Sequence, residues 1–453
     1  MSTLTTSAKD SETRTRGPRQ ALPIAFLALV IAVVVQFVGQ LDIDLGVGSV
    51  IIFPMVWGLV LGLLVSVQKF RPLGVDLQKV AAALVGVAVM ILVARLAFNI
   101  GPSLPTLAKA GPALLLQEVG HLLGTVALAL PLAVLLRMGK ATVGATFSLD
   151  REPSFAMVSE KYGPDSDQYR GVLAMYVFGT MFGAVFITLL TSLVTNWKIF
   201  DPLALAMGAG VGSGSMMAAS SASIVAAHPG QEQAILGMAA VSNLITTILG
   251  VYVGIYVALP LADRFYRFLT RRRGDGEGTP DAVSSPADEA DALAANRAFR
   301  EDVAQASGEI KLPLWLSLGI LTVLGLGTAS VAAKKVSWDI VGGYAVLLAL
   351  VLVGLILAKA SRKISAIVWI TTVGAYISSP WFFASDTLNR LVGSVDFLSI
   401  ATIMLTLAGL SLGKDLPLLR RIGWKIVPVG LVAITASFLM AVVIAEFTLG
   451  AWG

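Results

Sequence analysis

The chain contains no cysteine and only two histidines, His121 and His228, among its 453 residues. The lack of cysteine excludes disulfide bonds, thiolate metal sites and a cysteine nucleophile, and two histidines are too few for a classical zinc site or a pair of haem ligands. Charged residues make up only 13% of the chain, whereas a soluble domain carries roughly 25%. We therefore expect a protein that lies largely in a membrane, with no bound metal and no cofactor.

Long apolar runs take the place of the missing charge. Hydrophobic residues form 56% of the chain, and the mean hydropathy is +0.82. A bilayer core about 30 Å thick requires about 20 mainly apolar residues in a spanning helix. The stretches that meet this requirement are 21–39, 48–67, 79–98, 112–136, 171–196, 233–262, 312–333, 339–359, 364–384, 397–413 and 424–448. The sequence predicts an all-α polytopic membrane protein with about 11 transmembrane helices.

The distribution of basic residues predicts the orientation of these helices. If the N-terminus lies in the cytoplasm and each span crosses once, 27 of the 33 Lys and Arg residues fall on the inside and 6 on the outside. Cytoplasmic loops of membrane proteins carry an excess of Lys and Arg. The chain is therefore expected to be oriented N-in and C-out.

That topology leaves two segments, 138–165 and 201–230, which must leave and return on the same side. Residues 201–230 are too apolar for a surface loop and contain Gly208, Gly210, Gly212 and Gly214 at every second position. Irregular backbone at membrane depth survives only where protein or a watery cavity satisfies its amides. Two such re-entrant or broken-helix segments, entering from opposite faces, predict a transporter with inverted repeats.

Composition divides the chain into four parts. Residues 1–20 form a polar cytoplasmic tail, and 21–262 form a membrane half that carries both re-entrant segments. Residues 263–311 are an acidic cytoplasmic linker, with a polar helix expected near 286–306. Residues 312–453 form the second membrane half.

The glycine-serine run is the strongest candidate for a binding site. A helix beginning directly after it would direct unpaired amides and a positive dipole end toward a small anion. The expected substrate-binding residues here are Gly210, Gly212, Ser213, Gly214 and Ser215. Close packing of helices through small residues is the alternative, although packing motifs usually repeat every fourth residue.

Glu118 is the one carboxylate well inside a predicted span, and Gln117 and His121 lie on adjoining faces of the same helix. An ionisable group at this depth is unfavourable and usually faces the protein interior or a cavity. A proton-coupling role and a structural pair of Glu118 with His121 or Arg95 both remain open.

Two further sets of polar residues allow a functional and a structural interpretation. Asn243 and Thr247 either line an ion path or bond back to their own helix. In the first re-entrant segment, Thr146, Ser148 and Arg151 either bind a carboxylate, with Arg151 as a bidentate clamp, or belong to a solvated charge cluster.

Three motifs resemble known membrane families. Residues 201–262, from Asp-Pro-Leu-Ala-Leu-Ala-Met-Gly through the glycine-serine run to Gly-Met-Ala-Ala-Val-Ser-Asn-Leu-Ile, resemble the C-terminal part of CidB/LrgB family proteins. Lys-Ala-Thr-Val-Gly-Ala-Thr at 140–146 and Ala-Met-Val-Ser-Glu-Lys-Tyr-Gly at 156–163 are similar to an earlier motif of that family. Leu-Thr-Leu-Ala-Gly-Leu-Ser-Leu-Gly-Lys-Asp-Leu at 405–416 looks like a helix end of bile-acid-type and 2-hydroxycarboxylate-type carriers.

As a whole, the chain resembles an uncharacterised bacterial family of permease-like membrane proteins that carries a domain of unknown function. The resemblance implies inverted repeats, broken helices that meet at mid-membrane, and transport of small organic acids across the bacterial inner membrane. In the citrate and glutamate carriers, glycine-rich hairpin tips bind the substrate. They would correspond here to Gly210, Gly212, Ser213 and Gly214.

These observations predict a secondary active transporter of a small organic anion, coupled to H⁺ or Na⁺. The alternative is a CidB/LrgB-like holin or envelope-regulating membrane protein. No nucleotide-binding loop and no hydrolase motif occurs in the sequence, so we do not expect an enzyme. The expected partners are a small-molecule anion and the lipid bilayer, without nucleic acid, and a homodimer remains open.

Overall fold

A computed structural model describes residues 18–44, 49–147, 153–271, 286–306, 310, 312–362 and 364–452. Over these residues the chain is almost entirely helical, apart from one antiparallel pair of short strands, β1 (Leu41–Asp44) and β2 (Ser49–Ile52). The prediction of an all-α chain is thus correct except for this small hairpin, which follows the first helix.

The helices of the first half include three π-helical turns. They are α1 (Pro18–Val38), α2 (Pro54–Val67), α3 (Val75–Lys109), α4 (Gly111–Gly124), a π-turn at Thr125–Ala129, α5 (Leu130–Leu135), α6 (Ala141–Thr146), α7 (Pro153–Tyr162), α8 (Asp167–Phe178), a π-turn at Gly179–Gly183, α9 (Ala184–Asn196), α10 (Pro202–Ala209), α11 (Gly214–Ala227), α12 (Glu232–Val253), a π-turn at Gly254–Ala258 and α13 (Leu259–Arg271). Such turns insert one residue into a continuous helix and are frequent at functional sites.

The linker and the second half contain eight further α-helices. They are α14 (Pro286–Ala306), α15 (Leu314–Ala332), α16 (Trp338–Ser361), α17 (Ala366–Ser378), α18 (Ser385–Gly393), α19 (Phe397–Ser411), α20 (Leu416–Ile422) and α21 (Ile426–Trp452). The polar helix expected near 286–306 is therefore present as α14.

Within the described part of the chain, nine helices are long and apolar enough to cross a bilayer. They are Ala21–Val38, Val75–Lys109, Gly111–Leu135, Asp167–Asn196, Pro229–Gly250, Leu314–Ala332, Trp338–Ser361, Phe397–Leu418 and Ile426–Gly450. Each coincides with a predicted span, and the chain is a multi-pass membrane protein.

The other two predicted spans are shorter helices, so the count of 11 is not confirmed. The stretch 48–67 begins as strand β2, and its helix starts only at Pro54, which occupies the first helical turn. The stretch 364–384 ends as a helix at Ser378, because Ser379 is extended in front of Pro380. A residue before proline is disfavoured in the helical region.

Closely packed helix pairs join the two halves of the chain. In the pair of α2 and α19, a Cβ atom added at Gly409 would lie 2.2 Å from the Leu59 carbonyl oxygen, and one added at Gly62 would lie 2.6 Å from that of Thr406. In the pair of α4 and α21, a Cβ atom at Gly120 would lie 2.4 Å from the Met440 carbonyl oxygen. Only glycine permits this approach of two backbones.

Candidate functional site

The helical hairpin formed by α10 and α11 is interrupted at residues 210–213, where the sequence predicts a break. Gly212 has a φ of +83°, a left-handed conformation that glycine adopts without a steric penalty. The chain therefore leaves helix α10 after Ala209 and begins helix α11 at Gly214. The alternation of small residues lets a short non-helical segment fit between packed helices.

Asn243 of α12 holds this break in place. Its Nδ2 atom donates hydrogen bonds to the carbonyl oxygens of Gly210 at 2.7 Å and Gly212 at 3.1 Å. The neighbouring Ser242 hydroxyl donates to the Met207 carbonyl at 2.7 Å. Since carbonyls outside a regular helix need other donors away from water, α12 supplies the bonds that the interrupted helix lacks.

Two glycines of the run serve close packing, which is the alternative left open by the sequence. A Cβ atom at Gly208 would lie 2.3 Å from Val442 Cγ2 of α21, and one at Gly210 would lie 2.4 Å from the Ser242 side chain of α12. Spacing by two residues lets this segment contact two different helices. Gly214 differs, because a Cβ atom there would meet only Val89, at 3.7 Å.

The two ends of the break carry opposite partial charges. The last carbonyls of α10 and the first amides of α11 meet there, and helix termini concentrate negative and positive dipole ends. Ser213 is the N-cap residue of α11, but its side chain does not cap the helix. Its hydroxyl instead lies 3.0 Å from that of Ser215, and both side chains are partly exposed. These amides and hydroxyls form a short polar surface suited to an anion.

A hydroxyl-rich contact between α9 and α11 was not predicted from the sequence. The Thr191 and Ser220 hydroxyl oxygens lie 2.8 Å apart, and the Ser223 hydroxyl donates to the Thr188 carbonyl at 3.3 Å. All four residues are buried. The sequence pattern that could have indicated this contact is the spacing of Thr or Ser by three residues on each helix, which places them on one helical face.

Glu118, Gln117 and His121 are all buried on α4. The His121 Nδ1 atom is hydrogen-bonded to the Ser437 hydroxyl of α21. The Glu118 carboxylate faces α12, where a Cβ atom added at Gly250 would lie 3.3 Å from its Oε1 atom. The Gln117 side-chain amide donates to the Leu114 carbonyl at 3.3 Å.

Arg95, the alternative partner suggested for Glu118, is engaged elsewhere. Its Nε atom donates to the Val395 carbonyl at 2.8 Å, and its Nη1 atom donates to Asn99 Oδ1 at 3.2 Å. The described charges that act most strongly on this guanidinium are those of Glu232 and Asp396. Arg95 thus connects α3 to the start of α19.

Helices α12 and α21 bring the Glu118 set close to the break. Asn243, Thr247 and Gly250 recur at helical spacing on α12, so the residue that holds the break and the residue that faces Glu118 share one face. Helix α21 contacts both regions. Its Val442 side chain packs against Gly208 of α10, and its Met440 carbonyl, two residues earlier, is approached by Gly120 of α4. The Thr247 hydroxyl donates to the Asn243 carbonyl at 2.7 Å, as in the back-bonding alternative.

The first of the two segments that were predicted to be re-entrant contributes α6 and α7. The Thr146 hydroxyl is buried and donates to the Thr142 carbonyl at 2.9 Å. Helix α6 crosses α8 closely, since a Cβ atom at Gly144 would lie 1.8 Å from the Gln168 carbonyl oxygen. Ser148 and Arg151, the other two expected binding residues, lie outside the described residues.

No group of three or more His, Asp or Glu side chains that could hold a metal ion occurs in the described ranges. The oxygen atoms at the break are carbonyls and hydroxyls, and the Glu118 carboxylate lies farther along α12, at Gly250. Such a set is chemically suited to Na⁺ or to proton exchange rather than to a transition metal.

The chain belongs to the DUF3100 family, described as proteins of unknown function, whose model matches residues 33–268. The matched part includes Glu118, Asn243 and both segments, 138–165 and 201–230, that were predicted to be re-entrant. No curated protein and no solved structure matches the chain. The resemblance to CidB/LrgB and to the 2-hydroxycarboxylate carriers remains a prediction from the motifs.

Proposed function

We propose that this DUF3100 protein is a secondary active transporter of a small organic anion of the carboxylate type. The observation that carries the proposal is the break at residues 210–213, where α10 ends and α11 begins between membrane-spanning helices. Transporters place the positive N-terminal ends of broken helices at anionic substrate groups and the carbonyl ends at coupling ions.

The anion binds at the start of α11. The amides of Gly214 and Ser215 and the hydroxyls of Ser213 and Ser215 provide donors for a carboxylate, and the left-handed conformation of Gly212 forms the turn that presents them. A Cβ atom at Gly214 would meet only Val89, so there is room beside this turn.

The two hairpins support an inverted-repeat arrangement. Helix α7 carries Phe155, whose ring centroid lies 4.9 Å from that of Tyr176, and Met157, whose Sδ atom would lie 3.1 Å from a Cβ atom at Gly254. Thus α6 and α7 pack against α8 and the π-turn that follows α12, and α10 and α11 pack against α9 and α12 itself. With the N-terminus in the cytoplasm of a bacterium, the pairs enter the inner membrane from opposite sides.

The coupling ion is H⁺, carried by Glu118. This carboxylate is buried among α4 and α12, and His121 is hydrogen-bonded to Ser437 one helical turn away. An ionisable residue inside a membrane span commonly marks an ion or proton path, and α12 connects Glu118 to the residue that holds the break. Gln117 lies beside it on α4, and Asn243 and Thr247 lie on the face of α12 that also carries Gly250.

The test uses proteoliposomes and a panel of radiolabelled mono- and dicarboxylates, with an imposed proton gradient. We expect saturable uptake of at least one carboxylate. Gly212→Val should abolish it, because a β-branched residue is strongly disfavoured at positive φ, whereas Gly319→Ala, where a Cβ atom meets no other group within 4 Å, should not. Glu118→Gln should retain exchange of the anion but lose its accumulation.

Normal transport by Gly212→Val would contradict the assignment of the site. Uptake that persists in Glu118→Gln with full accumulation would contradict proton coupling at this residue. Leakage of unrelated solutes without saturation would instead favour the holin-like alternative.

A further inference from the structure

Helix α14 adds charged and aromatic contacts across neighbouring helices of the membrane domain. It lies between the start of α8 and the helix α20 that connects α19 to α21. The contact residues of α14, which we name the α14 strap, are Asn296, Arg297, Phe299, Arg300, Asp302 and Val303.

The strap binds the turn before α8 with two arginines. Arg297 Nε lies 3.0 Å and Arg300 Nη1 lies 2.9 Å from the carboxylate oxygens of Asp165. The Asn296 amide donates to Asp167 Oδ1 at 2.8 Å and to the Asp165 carbonyl at 3.1 Å. The start of α8 is therefore fixed to α14 at several points.

Apolar contacts seat the same face of α14 on the membrane domain. Phe299 and Val303 are buried at 3% and 7% exposure, and the Arg170 guanidinium lies 5.6 Å from the centroid of the Phe299 ring. These residues follow the three- and four-residue spacing of one helical face, whereas Asp291 and Glu301 are exposed. An otherwise polar helix is thus docked rather than loose.

The other end of the strap binds the connector between α19 and α21. Asp302 forms an ion pair with Arg421 of α20. Helix α21 begins at Ile426, immediately after this connector. The strap therefore ties the near end of α21 to the near end of α8.

The two helices that the strap ties together flank the candidate binding hairpin. Helix α9 continues α8 and contacts α11 through Thr191 and Ser220, while α21 contacts α10 at Gly208 and Val442. Movement of α8–α9 relative to α21 would therefore separate or reorient α10 and α11. A contact that fixes both helices restrains the hairpin.

We propose that the α14 strap is an electrostatic latch that restrains the hairpin α10–α11 and is released as ionic strength rises. The proposal rests on the proposed function, since it regulates the same site. The Asp165 pairs and the Asp302–Arg421 pair are partly solvent-exposed. The Debye length falls from about 30 Å at 0.01 M salt to about 3 Å at 1 M, so salt weakens them while the buried Phe299 keeps α14 nearby.

The absence of cysteine from the chain allows a direct test. Ser215→Cys places one thiol at the partly exposed start of α11, and its rate of reaction with N-ethylmaleimide reports the opening of the hairpin. The full-length protein is measured in lipid vesicles across that range of salt. Asp165→Asn and Asp302→Asn each remove one end of the latch.

The matched control is Asp339→Asn. Asp339 forms an exposed ion pair with Arg390 at 3.0 Å, between α16 and α18 and outside the strap. The double variant Asp302→Arg with Arg421→Asp exchanges the two charges. It keeps an ion pair between α14 and α20 and should therefore restore the behaviour of the parent. Thermal unfolding of each variant verifies that the fold is retained.

We expect labelling of the Ser215→Cys parent to accelerate about twofold to fivefold with salt, which is the range that exposed ion pairs can shift. Asp165→Asn and Asp302→Asn should react at the faster rate already in low salt and respond little to added salt. Asp339→Asn and the charge exchange should behave like the parent.

Parent-like rates in both strap variants would overturn the latch, and so would equal acceleration by Asp339→Asn. The labelling rate requires neither a transported anion nor a gradient. Failure to find a transported anion would therefore count against the proposed function alone, whereas transport together with salt-insensitive labelling would count against the latch alone.

Discussion

Glycine has different structural roles in the helix pair α2–α19 and in the hairpin α10–α11. In the first, Gly62 and Gly409 lie inside regular helices, and their missing side chains let two backbones touch. In the second, Gly212 provides a backbone conformation that ends one helix and begins another. The former builds a fixed scaffold, and the latter exposes polar backbone inside the protein.

The spacing of the glycines reflects this difference. Gly58 and Gly62 on α2 are four residues apart and both face α19, where Gly409 in turn faces α2. In the hairpin, the spacing of two directs Gly208 to α21 and Gly210 to α12. The contact between α2 and α19, which we call the seam, needs glycines on a single helical face. An interrupted helix instead needs packing partners and hydrogen-bond donors from several helices.

The largest loss of folded protein is expected from adding a large side chain in the seam between α2 and α19. Gly409→Leu would push a side chain into the Leu59 backbone, which cannot withdraw, and the penalty should exceed the about 1–3 kcal/mol of ordinary overpacking. Since proteins are stable by only about 5–15 kcal/mol, we expect little folded protein. Size-exclusion profiles of detergent extracts measure the folded fraction.

The control for this variant is Gly319→Leu, at a helix position where an added Cβ atom meets no other group within 4 Å. It should give a normal profile. Equal yields of the two variants would show that the seam of α2 and α19 yields to added volume, which would remove the contrast with the hairpin.

An intermediate effect is expected from removing the support of the break. Asn243→Leu has a similar volume but leaves the Gly210 and Gly212 carbonyls without their side-chain donor, at a penalty of about 1–3 kcal/mol. We expect a lower melting temperature and loss of anion uptake in protein that still folds. Differential scanning fluorimetry and proteoliposome uptake measure the two quantities.

Thr322→Val serves as the comparison, because it removes a hydroxyl that bonds only back to the Leu318 carbonyl of its own helix, at 2.7 Å. Its uptake should be unchanged. If Asn243→Leu transported like Thr322→Val, the break would not depend on α12.

The sequence predicts the position of the break and nine of the spanning helices, because both depend on local composition. Four alternating glycines around residue 212 interrupt a helix wherever they occur, and runs of about 20 apolar residues identify spans. The α2 helix was misplaced because the apolar residues of β2 satisfy the same criterion. Hydrophobicity alone does not distinguish a short apolar strand from a helix.

The partners of the site residues could not be predicted, because they come from distant parts of the chain. His121 bonds Ser437 and Gly210 is held by Asn243, and neither pairing leaves a local pattern. Likewise, the close contacts of Gly208 with α21 and of Gly210 with α12 could not be predicted, and the binding role of the run stays a prediction. Ser148 and Arg151 lie outside the described residues, so their role stays a prediction.

The smallest effect on stability is expected from removing the hydrogen bond that joins α9 to helix α11 of the hairpin. The contact between α9 and α11 uses the Thr191 and Ser220 hydroxyls, 2.8 Å apart, where the seam of α2 and α19 uses glycine. Hydrogen bonds between membrane helices contribute on average about 0.6 kcal/mol. A double-mutant cycle of Thr191→Val and Ser220→Ala, read from the free energy of unfolding in mixed detergent, should return a coupling of that size. Such a weak bond can be exchanged during a conformational change, as a moving hairpin requires. A coupling several times larger would instead make α9 and α11 one rigid unit, and the site would then have to open along the contacts of α10 with α12 and α21.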